Sequence, residues 1–342
     1  MKTKVTVKKL LAKYKVERNR PKNFDQADER CFSAEWTREF NPVNLYSVKN
    51  AWVDSGGIVA RKNFKIIPSS LVNLRKKGAK LKSVLSHMLR LMAKKPVSDR
   101  GKYIWISERW SSGYFHWFCD ALPRYYIARK HLSSQVILLP EHYRSFPYVL
   151  ESLDYLGLSY GFIERGTRHY CEEIHYSDLL ALPGNYHPPT MKLLKDEIRK
   201  HSSSSGSDER IFISRQKARI RKIINMDECA PIIEKHGFRI VVLEDLDFDQ
   251  QMSKLSSAKV IMGVHGAGFT NMLAVPNSCK VIEMRGKNDT HNNCFFSLAE
   301  ALDLDYYYFF CQENPTSNDI VGNVNVDADA LDQFLTRYFP NS

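Results

Sequence analysis

The stretch from Ala258 to Glu283, AKVIMGVHGAGFTNMLAVPNSCKVIE, limits what this chain can become more than any other. Val260, Ile261 and Met262 form an apolar run of strand length. It breaks into Gly263-Val264-His265-Gly266-Ala267-Gly268, and Phe269 to Ala274 reads as the start of a helix. Strand, tight turn and helix in that order are the repeating unit of an α/β sheet. Gly266 and Gly268 have no Cβ, so a ligand can approach the backbone closely, and the N–H groups opening the helix face an anion such as a diphosphate. His265 stands at the mouth of the turn, Ala267 within it and Asn271 in the first helical turn. A second strand, Lys280 to Met284, carries Glu283 near its end, where a carboxylate accepts hydrogen bonds from ligand hydroxyls. No Gly-Lys-Ser/Thr follows, and the pattern is not the G-x-G-x-x-G dinucleotide fingerprint.

Most such turns bind nothing, so the run upstream matters. Ile211-Phe212-Ile213-Ser214-Arg215 is a short strand ending in a cation, followed by Lys217, Arg219, Arg221 and Asn225. A helix from Asp227 to His236 and a strand from Phe238 to Leu243 come next. The ordered set is I-S-R at Ile213, N-x-x-E from Asn225 to Glu228, Gly237-Phe238, Gln251, G-V-H-G-A-G-F-T-N from Gly263, and V-I-E ending at Glu283. Over roughly Ile211 to Glu283 it resembles the family 61 glycosyltransferases, and the block H-W-x-x-D-x-L-P-R from His116 to Arg124 fits the same family.

The resemblance implies two Rossmann-like α/β domains facing a cleft, the GT-B fold. It also implies an inverting transfer of a sugar from a nucleotide-diphosphate donor, UDP-linked by preference, to a glycan or lipid-linked glycan acceptor in bacterial capsular or surface polysaccharide synthesis. Donor binding falls to Arg215, Arg219, His265, Gly266, Ala267, Gly268, Asn271 and Glu283, with Arg124 and Trp117 as phosphate or acceptor contacts. Two other classes compete: a nucleotide-sugar epimerase on the same fold, and a catalytically silent glycan- or nucleotide-binding protein.

In a helix, the four-residue spacing of His116 and Asp120 puts imidazole and carboxylate on one face. Read alone, the pair is a structural histidine with a capping acid; the family block makes His116 the general base and Asp120 its orienter, or the base itself. Pro123 suits a first helical turn better than an interior, which leaves the helical continuation open. Asp245-x-Asp247-x-Asp249 and Asp303-x-Asp305 imitate a metal-binding D-x-D, but the first precedes a helix near Phe248 and reads as an N-cap. No metal or cofactor is expected, because guanidinium and N–H groups can stabilise the departing diphosphate in its place.

Fifty basic against 38 acidic residues leave a net charge of +12, which calls for an anionic partner. No finger spacing, RNP-like strand or arginine-rich tail accompanies it, so nucleic acid is not expected. Leu71 to Lys95 reads as a basic amphipathic helix, either packed on its own domain or in peripheral contact with an anionic membrane. The seven cysteines are scattered without a C-x-x-C, the pattern of free thiols in a reducing compartment. No apolar run is long enough to cross a bilayer and the basic start lacks a signal-peptide core, so the expected location is the cytoplasm, including its membrane face.

The expected organisation is a basic arm over residues 1–30, an acceptor-side α/β domain over 31–201, and a Ser-rich linker over 202–209. A donor-binding domain over 210–326 follows, then a terminal helix over 327–342 that crosses back to the first domain.

Overall fold

The computed structural model describes residues 2–70, 81–98, 100–134, 136–202, 208–287, 289, 292–314 and 322–340. The chain divides into two compact α/β units, Met1–Tyr14 with Glu39–Leu182, and Lys15–Arg38 with Pro183–Ser342. In chain order the strands are β1 (Lys4–Leu11), the two-stranded pair β2 (Tyr14–Glu17) and β3 (Thr37–Phe40), β4 (Val43–Asp54), β5 (Val59–Arg61) and β6 (Lys95–Ser98). Next come β7 (Lys102–Trp105), β8 (Ile137–Pro140), β9 (Tyr160–Ile163) and β10 (Thr167–Ser177).

The first unit is built on one mixed sheet of order β1-β4-β10-β7-β8-β9, with β5 on β4 and β6 on β10. β10, β7, β8 and β9 run parallel, while β1 and β4 are antiparallel to their neighbours. Val48, Ala51 and Val53 of β4 pack with Trp105, Leu138, Ile163 and Ile174 as the core. The N-terminal stretch is therefore not a solvated arm. Its apolar residues let Lys4–Leu11 zip along β4 as an edge strand, with Val5 against the core and lysines outward, the usual protection of an exposed edge.

The second unit carries β11 (Glu209–Ile213), β12 (Phe238–Val241), β13 (Ala258–Val264), β14 (Lys280–Gly286), β15 (Asp305–Asn314) and β16 (Asn323–Asn325) in the order β12-β11-β13-β14-β15-β16. All pairings are parallel except that of β16. Phe212, Val260, Met262, Ile282 and Met284 project from one face onto the helices Met226–Lys235 and Ala328–Tyr338. The period of two then sends Ile213, Ile261, Glu283 and Arg285 to the other face.

Three expectations change here. The terminal helix, capped by Asp327, buries Leu331 and Leu335 in the core of its own unit instead of crossing back. The helix Pro188–His201, expected to close the first domain, belongs to the second unit, where it buries Met191, Leu194 and Ile198, so the division falls at Leu182 and Pro183. Within the Ser-rich stretch, residues 203–207 lie outside the described residues. Residues 15–38 also build the second unit: the Lys22 N–H donates to the Tyr306 carbonyl at 2.8 Å, and the Asn23 amide brackets Tyr308 through both its backbone groups. Phe32 packs on Tyr308 and Phe296, and Arg18 and Glu35 form a buried ion pair at 2.6 Å.

Candidate functional site

In the first unit, the loop after β7 leads through Glu108 and Trp110 into a continuous helical run, Tyr114–His116, Trp117–Ala121 and Leu122–Ala128. The middle segment is a π-turn. The widened turn precedes Pro123, whose ring would clash with a carbonyl one turn back in a regular helix, and so the run continues through a proline. The expected spacing is thereby kept: His116 Nδ1 lies 2.6 Å from Asp120 Oδ2, both half-buried. Glu108, which no sequence motif marks, completes a group with them whose ligating atoms all lie within 4.8 Å. Burial pushes the Glu108 carboxyl up; the Trp110 N–H, at 3.2 Å from it, opposes that rise, and the negative charge of Asp120 adds to it. Trp110, 54% exposed, holds its ring 6.2 Å from the His116 ring with Arg109 stacked over it at 5.2 Å.

The neighbours assigned to phosphate or acceptor are occupied otherwise. Arg124 is buried and donates to the Ile106 carbonyl at 2.7 Å, the Ser177 carbonyl at 2.7 Å and Ser177 Oγ at 3.2 Å. It ties the end of β7 to the end of β10, and burial lowers its pKa to about 10, still well above neutrality. Trp117 is fully buried and donates its indole N–H to Ser152 at 2.9 Å. Both are framework residues of the helical run that carries His116 and are unavailable to a ligand.

In the second unit, β11 continues to β12 on one side while β13, its neighbour on the other side, continues to β14 away from it. Such a reversal leaves a crevice at the carboxyl ends of the two strands, where ligands of open α/β sheets bind. A cavity of about 130 Å³ lies there, lined by apolar Ile223, Met226 and Val264 and by Ser214, Arg215 and Lys222. Arg215 is laid against the glycine turn: a Cβ on Gly266 would fall 2.0 Å from its Nη1. Gly268 is needed for a different approach, since its Cβ would meet Ile213 Cγ2 at 2.8 Å.

Arg215 donates Nη2 to the Ile220 carbonyl at 3.1 Å, and its Nε has no hydrogen-bond partner among the described residues. Burial lowers its pKa, and the positive charge of Arg221 lowers it further. Arg221 is the cation the sequence could not single out. It is half-buried, its Nε also lacks a partner among the described residues, and its backbone is left-handed at φ 61°, a conformation rare outside glycine. Arg219 is exposed instead. Two neighbouring guanidinium groups with unfilled donors offer the charge and N–H groups that an anion takes.

His265, Glu283 and Tyr306 form a buried network in which Glu283 takes a hydrogen bond from the His265 ring through one oxygen and from the Tyr306 hydroxyl through the other. Burial alone would raise the Glu283 carboxyl, but His265, Arg285 and Tyr306 together hold it below its ordinary value. Glu283 is thus not an open strand-end acceptor for ligand hydroxyls: strand alternation points it inward, where it orients His265. Asn271 is likewise buried and donates to Gln251 at 3.2 Å, while Gln251 donates to the Leu243 and Leu246 carbonyls. The segment Ala267–Leu273 is a 3-10 helix of seven residues, not an α-helix, so the charge for an anion comes from the arginines more than from a helix terminus. Ala267 and Gly268 remain half-buried at its start.

The acidic pairs are committed elsewhere. Asp247 caps the helix Phe248–Leu255 in a capping box with Gln250, Asp245 pairs with Lys217, Asp303 with Lys192, and Asp305 with Lys22 at 2.9 Å. Asn225 of the N-x-x-E motif clamps Val326, accepting its N–H at 3.0 Å and donating to its carbonyl at 2.8 Å.

Comparison with known proteins points the same way. A rice (Oryza sativa subsp. japonica) beta-1,2-xylosyltransferase, XAX1, is 25% identical over 239 residues, 61% of this chain and 41% of that protein. The EGF domain-specific O-linked N-acetylglucosamine transferase of Drosophila melanogaster is 29% identical over 100 residues, 28% of this chain and 19% of its own. The rice alpha-1,3-arabinosyltransferase XAT2 is 35% identical over 78 residues, 22% of this chain and 13% of its own. The chain thus spans less than half the length of each of these relatives. Residues 114–282, which take in the His116 block, the Arg215 strand and the glycine turn, match the family Glycosyltransferase 61, a family of sugar transferases.

Proposed function

We propose that the chain transfers a sugar from a nucleoside diphosphate, UDP by preference, to a hydroxyl of a glycan or lipid-linked glycan, with inversion and without a required metal. The observation that carries the reading is the Arg215 and Arg221 pair, half-buried, with unfilled donors, Arg215 lining the switch-point cavity. Guanidinium groups held there stabilise charge as it grows on the leaving diphosphate. The second unit supplies the donor site and the first supplies His116, which takes the acceptor proton through Nε2 while Asp120 holds Nδ1. Trp110 offers an exposed aromatic face on which an acceptor sugar stacks. This division of labour is that of a GT-B enzyme, and surface polysaccharide synthesis at the cytoplasmic membrane face is the setting we propose for it.

Titration with UDP tests the donor site. Arg215→Ala and Arg221→Ala should each weaken binding by about 1.5 to 3 kcal/mol, the range for hydrogen bonds to charged groups, while Arg219→Ala should do little. Equal affinity in all three variants removes the assignment. Product analysis without acceptor separates the transferase from an epimerase, which would interconvert the nucleotide sugar alone. Binding with no turnover on any acceptor would mark a silent binding protein.

A further inference from the structure

We propose that the helix Leu81–Ala93 and the adjoining hairpin at Arg61 to Lys65 dock the first unit onto an anionic lipid surface. Among the described residues seven large apolar side chains are exposed, and three of them sit on this one helix: Leu85 at 53%, Leu89 at 57% and Met92 at 46%. Spacings of four and three place them along a single stripe. The stripe is not a mis-set core face. Leu91, with Met88 beside it, packs instead on Ala60, Ile66 and Phe64 of the hairpin, which fixes the helix with Leu85, Leu89 and Met92 outward.

Charge identifies the occupant. From Ser55 to Ser98 the sequence holds eleven lysines and arginines and neither Asp nor Glu. Among the described residues Arg61, Lys62 and Lys65 are exposed on the hairpin, and Arg90 and Lys95 on and just after the helix. Among the described residues of this group Lys94 is neutralised, at 2.6 Å from Asp54. A second copy of this surface would bring like charges together, and a nucleic acid would leave the apolar stripe unused. A bilayer with anionic headgroups uses both features at once: the cations reach the headgroup phosphates and the three apolar side chains enter the acyl boundary. Weak anchoring of each kind becomes useful when the two are combined.

The test is co-sedimentation of the full chain with vesicles of phosphatidylcholine alone and of equal parts phosphatidylcholine and phosphatidylglycerol, at low and high salt. The wild type should partition to the anionic vesicles roughly tenfold or more above the neutral ones and lose most of that in high salt. The double variant L85E/L89E should lose about tenfold in partition with its melting temperature unchanged, and K62E/K65E should lose the salt-sensitive part. Equal partition to both vesicle types overturns the proposal, as does undiminished binding by L85E/L89E. So does a wild-type dimer, measured by light scattering, that L85E/L89E dissociates while vesicles bind neither protein.

Discussion

A short hydrogen bond between His116 Nδ1 and Asp120 fixes which nitrogen of the ring is left for a substrate, and that choice decides what the residue can do. His116→Ala and Asp120→Asn should reduce turnover by roughly a hundredfold or more while UDP affinity stays nearly intact, because the donor site we propose is built from residues of the other unit. The two losses need not add, since a base and its orienter act together. Single-turnover rates and UDP titration of the same variants separate the effects. If either variant fails to fold, that residue is structural. The same measurements with EDTA present bear on Glu108: chelation should leave the rate unchanged, and activity lost to EDTA and restored by manganese would make Glu108, His116 and Asp120 a metal site. Residues at this scale were unevenly legible. The four-residue spacing and the family block pointed to His116 and Asp120, but Glu108 lies eight residues upstream across a loop that no periodicity describes. In Lys217-Ala218-Arg219-Ile220-Arg221 every cation looks alike, and only the left-handed turn at Arg221 decides which one faces inward.

At the scale of the element, the junction of β13 with its turn is where side-chain placement depends most on one missing atom. Gly266→Ala puts a methyl group against the guanidinium of Arg215, the mobile end of a long side chain, so the strand should keep its place while the cation is pushed off. The expected outcome is a loss of UDP affinity comparable to that of Arg215→Ala, roughly tenfold to a hundredfold, with the melting temperature little changed. A large drop in melting temperature with affinity retained would contradict it. The sequence made this element legible through its apolar run and glycines, yet not the 3-10 form of Ala267–Leu273 or the inward turn of Glu283. Both depend on packing: Phe269 and Leu273 are buried, and Glu283 is drawn inward by His265 and Tyr306, whose positions become neighbours only when the sheet forms.

For the whole molecule, one buried charge shapes how stability responds to pH. Lys195, on the helix Pro188–His201, is 2% exposed, and its ammonium has no hydrogen-bond partner among the described residues. Burial lowers its pKa to about 8, against an ordinary value of 10.5. Between those values the unfolded chain binds more protons than the folded one, so stability rises with pH through that window, and below it the full penalty of about 3 kcal/mol is present. Lys195→Met should therefore stabilise the protein at pH 7 by about 1 to 3 kcal/mol and should lose that advantage near pH 10. Urea denaturation of both proteins at the two pH values checks it, and a gain that is the same at both would contradict the assignment. The alternating strands and helices made the α/β class of both units legible, and the parallel order of the second sheet followed the expected pattern. The division of the chain did not, because Asn23 and Phe32 carry no local mark of partners nearly three hundred residues away.

That early segment also sets an order on biosynthesis. The chain passes between its two units three times, at Tyr14, Arg38 and Leu182, so Lys15–Arg38 leaves the ribosome long before Tyr306, Tyr308 and Phe296, the residues on which it packs, have been made. At translation rates of about 5 to 20 residues per second the interval is on the order of tens of seconds. Throughout it Phe24, Phe32 and Trp36 have their aromatic neighbours within the segment and nothing of Phe296 or Tyr308 to close over them. The nascent second unit thus waits to close over a piece synthesised before the rest of it, and fragments cut at Leu182 separate that unit from its own beginning.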